Sequence, residues 1–123
     1  MKSYTDIEQS KKLADFLPIE SADMSYSFNF DSGIYEISTT PYKSWVVPKY
    51  AQPDDGFGQV IPCWSLAALL DILPYPTLAQ HANGLWSLTA LVGTVESYSV
   101  CEYDNKINLC YEMIVRLHGL NLL

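Results

Sequence analysis

The sequence predicts an α+β fold: an antiparallel sheet of about four to five strands with three helices packed mainly on one face. Three observations carry this. Two stretches alternate apolar and polar residues with period two, three others space apolar residues as a helix does, and the strands follow one another through tight turns. Short connections join antiparallel neighbours, whereas parallel strands need long crossovers. At 123 residues the chain is expected to form one domain spanning 1–123, and about two-thirds of its unfolded surface is buried at this mass.

The first helix is predicted just after Thr5, which makes a capping box with Glu8. Ile7, Leu13, Ala14 and Leu17 supply its apolar stripe, and Pro18 pushes the preceding residue out of the helical region. Tyr26, Phe28 and Phe30 then alternate with Ser27 and Asn29. Asp31-Ser32-Gly33 reads as a three-residue turn with Gly33 in the left-handed conformation, and Ile34 to Thr39 returns as the second strand. Trp45-Val46-Val47 is a short third strand between Pro41 and Pro48. The stretch from Pro48 to Gly58 holds two prolines, two glycines and adjacent aspartates, and reads as a surface loop within the domain.

A second helix is predicted from Pro62-Cys63-Trp64-Ser65 to Leu73, stopped by Pro74; its many leucines require cover on most sides. Asn83-Gly84 marks a turn. Strands over Leu85–Val92 and Val95–Tyr103 are joined by Gly93-Thr94. The last helix is expected from about Asn105 to His118, capped by Asp104 or Asn105 and ended by Gly119. Asn108, Glu112 and Arg116 form one narrow polar stripe on it; the other lateral positions are apolar and predict a central place in the core, with some surface available to another subunit.

The net charge is −7, from 7 basic and 14 acidic residues, and the only basic pair is Lys11-Lys12. Phosphate neutralisation needs clustered cations, so the composition argues against nucleic-acid binding. No apolar run reaches the roughly 18 residues of a membrane span, and Met1 to Gln9 lacks the apolar core of a leader. These observations predict a cytoplasmic protein without membrane contact. Cys63, Cys101 and Cys110 fit no zinc spacing and read as reduced thiols.

The sharpest catalytic pattern is Cys63-Trp64 at a predicted helix start, where the helix dipole favours a thiolate. Gln59 would offer an oxyanion donor and His81 or His118 a base. The pair resembles the cysteine-tryptophan helix start of papain-type proteases, without the Gly-Ser before the cysteine, with a different glutamine spacing and in a much shorter chain. A packed, inert Cys63 is the simpler reading. His81 and His118 are expected in a turn and a last helical turn. Asp54-Asp55-Gly56 lacks the later glutamate of a calcium loop. Gly56 and Gly58 lack the strand and helix of a nucleotide loop. Glu96, Glu102 and Asp104 read as charges that keep an edge strand from pairing. No metal or cofactor is predicted.

Nine tyrosines and three tryptophans with few long charged side chains mark the composition. Such residues serve in cores, in protein interfaces and against sugar rings. Tyr42, Trp45, Tyr50 and Phe57, with Tyr75 further on, fall in or near loops and form the candidate binding surface.

Three segments add a likeness. Ile7-Glu8-Gln9-Ser10-Lys11-Lys12-Leu13 with Ser21-Ala22-Asp23-Met24-Ser25-Tyr26, then Ile61 through Pro74, then Tyr111-Glu112-Met113-Ile114, together resemble small uncharacterised accessory proteins carried by prophages and mobile elements of gut bacteria. The resemblance spans most of the chain and carries no functional residue across. It implies an accessory protein of such an element. With the aromatic surface, the expectation is a non-enzymatic interaction protein whose bound species is a protein partner or a second copy of itself. The alternatives from other classes are a cysteine hydrolase using Cys63 and a carbohydrate-binding module.

Overall fold

The structure, a computed structural model, describes residues 3–29, 31–44, 60–93, 96–102 and 105–123. They form two compact units: Asp6–Ser65, and Met1–Thr5 with Leu66–Leu123.

In the first unit, helix α1 runs Ile7–Ala14. Its N-cap is Asp6, one residue beyond the expected Thr5. The Asp6 carboxylate accepts the Gln9 amide at 2.7 Å, and the Gln9 side chain accepts the Asp6 amide at 3.2 Å. Asp6 with Gln9 makes the same box as the predicted pair, while Thr5 is buried. A single 3-10 turn, Ile19–Ser21, leads into strand β1, Met24–Asn29.

Strand β2, Ile34–Ser38, returns antiparallel, with Phe28 opposite Tyr35 and Tyr26 opposite Ile37. The turn is held from inside: Asn29 Oδ1 accepts the amides of Asp31 at 2.9 Å and Ser32 at 3.3 Å, and the Gly33 amide donates to the Asn29 carbonyl at 2.8 Å. Gly33 has φ +72°, which a residue with a Cβ adopts only at a cost. A 3-10 turn follows at Tyr42–Ser44, and strand β3, Val60–Cys63, pairs antiparallel with the other side of β1. The order is β2-β1-β3. Helix α1 lies against β3, and Leu13, Leu17, Ala22, Tyr26, Ile61, Cys63 and Trp64 are buried.

In the second unit, helix α2 runs Leu66–Ile72, and its first amide donates to the Ser3 carbonyl at 3.2 Å. Strands β4, Thr77–Gln80, β5, Trp86–Val92, and β6, Glu96–Glu102, pair antiparallel in that order. Helix α3 spans Lys106–Gly119 and packs on β5, β6 and α2. Leu88 and Ala90 of β5 are fully buried, as are Ile107, Leu109, Cys110, Met113, Ile114 and Leu117 of α3.

The expected N-cap of α3 is found: Asn105 Oδ1 accepts the Asn108 amide at 3.1 Å. Its end differs. Gly119 is still helical, and the left-handed residue is Asn121, at φ +58°. The Leu122 amide bonds the Leu117 carbonyl at 2.9 Å and the Asn121 amide bonds that of His118 at 3.0 Å, which is a Schellman arrangement with asparagine in the glycine position.

The fold is α+β with three helices, but the expected single sheet of about four to five strands is replaced by two three-stranded sheets. Each predicted hairpin recruits its own third strand. β3 completes the first sheet; its last two residues, Pro62 and Cys63, stand where the sequence predicts the opening of the second helix. Pro62 is tolerated because β3 is an edge strand. β4 completes the second sheet and is four residues long, directly after Pro74 and Pro76, too short to show an alternation. The expected strand at Trp45-Val46-Val47 and the expected loop at 48–58 lie outside the described residues.

Candidate functional site

Cys63 stands at the end of β3, opposite Met24, and is 0 % exposed. It does not open a helix, since α2 begins three residues later at Leu66. The helix-dipole activation expected from sequence therefore has no basis at this position.

The two residues after Cys63 are tied to the chain before β1. The Trp64 indole Nε1–H donates to Ser21 Oγ at 2.9 Å, and Ser21 Oγ donates onward to the Pro18 carbonyl at 2.5 Å. The Ser65 amide donates to Asp23 Oδ1 at 2.9 Å, and the Ser65 hydroxyl donates to Asp23 Oδ2. One carboxylate thus takes both donors of the residue that precedes α2. This ties the chain around Ser21–Asp23 to Trp64-Ser65, 42 residues away in sequence.

The candidate bases belong to the other unit. His81 belongs to the second unit, in the turn between β4 and β5, and is exposed. Its ring Nε2 lies 2.9 Å from Ser87 Oγ, its amide donates to the Leu85 carbonyl at 2.8 Å, and its carbonyl accepts the Gly84 amide at 3.0 Å. These are the bonds of a turn. His118 is exposed in the last turn of α3.

The other two thiols differ from each other. Cys110 is buried in α3, and burial pushes its pKa up to about 12. Cys101 is exposed on β6, opposite Ser87. Among the described residues no group of three or more His, Cys, Asp or Glu side chains is arranged to hold a metal ion, and no helix is long and apolar enough to cross a membrane.

Two cations are engaged in holding α3. Lys106 Nζ sits 4.4 Å from the centre of the Trp86 ring, and Arg116 Nη1 donates to the Ser99 carbonyl of β6 at 3.2 Å. Of the four residues expected to bind a partner, Tyr42 lies in the 3-10 turn after β2 and is half-buried. Trp45, Tyr50 and Phe57, and the acidic Asp54-Asp55 pair, lie outside the described residues.

The exposed apolar surface that sequence reasoning did not single out is on the β1–β2 hairpin. Phe28 and Tyr35 stack edge to face, 5.2 Å between centroids at 69°. Ile37 continues the Tyr35 side of β2 at 37 % exposure, and Ile34 emerges on the opposite side at 59 %. A signal was present in the sequence: Ile34 and Ile37 fall in opposite phases of the alternation, and one buried face cannot take both. Tyr75, which the sequence does place with the candidate surface, is 78 % exposed, with φ +44° between Pro74 and Pro76.

No protein-family profile matches the chain, and neither does any characterised protein or solved structure.

Proposed function

We propose that this chain is a non-enzymatic accessory protein that acts by binding a protein partner, in the cytoplasmic setting of a phage or mobile element that its resemblance implies. The observation that supports the reading is the β1–β2 hairpin, which leaves Ile37 exposed on the side of the stacked Phe28 and Tyr35 and Ile34 exposed on the other. Large apolar side chains held on a hydrogen-bonded scaffold give contact area at low entropic cost. The tyrosines and tryptophan of 42–57 extend the same chemistry in sequence. A hydrolase built on Cys63 would first have to open the core around that sulfur.

The test is affinity capture from a lysate of the host carrying the element. Wild type is compared with the Ile34→Ser/Ile37→Ser variant and with a chain lacking 48–58. The expected result is a protein retained by wild type and lost from at least one variant, each variant keeping its cooperative thermal transition. Equal capture by all three overturns the reading.

A further inference from the structure

The order β2-β1-β3 leaves β2 at the rim of its sheet among the described residues. Its sequence, Ile34-Tyr35-Glu36-Ile37-Ser38, contains none of the Lys or Pro residues with which proteins blunt such rims. Both isoleucines are substantially exposed, and between them stands Glu36, also exposed. Asn29 Nδ2 donates to Glu36 Oε1 at 3.0 Å and so fixes the carboxylate on the strand. The hairpin's other charge, Asp31, is exposed as well, in a chain of net charge −7.

A second copy is a poor occupant of this rim. Two-fold antiparallel pairing of β2 with itself, centred on the strand, sets Tyr35 against Ile37 of the other copy but Glu36 against Glu36. Like charges directly opposite in a ladder destabilise it. A basic residue at that position removes the conflict.

We propose that the outer edge of β2 receives an extended segment of a partner protein as an added antiparallel strand, with Lys or Arg opposite Glu36 and apolar residues opposite Tyr35 and Ile37. This inference rests on the interaction reading above and names its partner chemistry. The backbone ladder supplies affinity without regard to sequence; the alternating side chains supply selectivity. Residues opposite Tyr35 and Ile37 extend the row already begun by Phe28 and Tyr26. The central cation meets a fixed carboxylate.

The probe is the capped peptide acetyl-Thr-Val-Lys-Val-Thr-amide, titrated into the whole labelled chain and followed by amide resonances. A second peptide carries Glu in place of Lys. The expected result is shifts concentrated at residues 34–38, with the Lys peptide binding about five-fold or more tightly than the Glu peptide at low salt. Glu36→Lys reverses the preference, and Glu36→Gln, which keeps an oxygen for Asn29, erases it. Equal binding of the two peptides overturns the proposal, as do shifts outside the hairpin. Changes at 34–38 that follow protein concentration without peptide assign the rim to a second copy and also overturn it. Partner capture lost on removing 48–58, with β2 silent to both peptides, overturns the edge and leaves the interaction reading standing.

Discussion

Cys110 shows how burial alone sets the chemistry of a residue. The core around it excludes water, so the thiolate is disfavoured and the pKa rises from 9.0 to about 12. Below pH 9 folded and unfolded chains both hold the proton, and the contribution to stability is fully present. Between pH 9 and 12 the unfolded thiol ionises while the folded one does not, so stability falls with rising pH, at most about 1.4 kcal/mol per pH unit. Urea denaturation at pH 8.5 and 10.5 tests this on wild type and Cys110→Ala. The tyrosines contribute equally to both, and wild type is expected to lose more stability than the variant. Parallel losses would mean that the thiol ionises in the folded core. Burial of this residue was legible in the sequence from its place on the apolar side of the last helix. The burial of Cys63 was legible only as the simpler of two readings, because the bonds that hold the next two residues, Trp64 to Ser21 and Ser65 to Asp23, reach some forty residues back.

At the scale of elements, the structure separates what local chemistry decides from what distant partners decide. The start of α3 was readable because Asn105 and the amide it caps are three residues apart. The start of α1 was readable to within one residue, since Thr5 with Glu8 and Asp6 with Gln9 both have the residue types of the box; the structure forms the second and buries Thr5. The hold on Ser65, just ahead of α2, was not readable, because its acceptor is Asp23, 42 positions away. Replacing Asp23 with Ala is expected to lower stability by about 1–2 kcal/mol, by removing an acceptor from two donors at once. Asp23→Asn keeps one oxygen and should lose less. Chemical denaturation of the two variants checks the order, and an alanine variant as stable as wild type would show that the clasp contributes nothing. The third strands were hidden for the same reason. β3 and β4 are defined by the strands they pair with, and four residues carry too little pattern of their own.

For the molecule as a whole, composition was informative about class and silent about partition. Two hairpins and three helices identified an α+β protein; whether the hairpins join one sheet or seed two depends on pairings between segments remote in sequence. The candidate surface was legible only in part: Tyr42 has a described place, while the exposed isoleucines emerged from the geometry of β2. The excess of acids acts on every part of the fold. A chain of net charge −7 repels itself when compact, and salt screens that repulsion over about 10 Å at 0.1 M. The thermal midpoint is therefore expected to rise between 10 and 200 mM sodium chloride at neutral pH. A scanning fluorimetry series checks this, and a falling midpoint would show that the pairs among the opposite charges outweigh the excess.

The bond from the Leu66 amide to the Ser3 carbonyl has a consequence for biosynthesis. The ribosome delivers the chain from its amino end, so residues 1–5 emerge early and belong to a unit whose remaining residues are translated last. Everything from Asp6 to Ser65 leaves the exit tunnel in between, and that unit is complete in sequence before the rest of the other is translated. Ser3 must therefore wait for Leu66, a hydrogen-bond partner translated only after the whole of Asp6–Ser65.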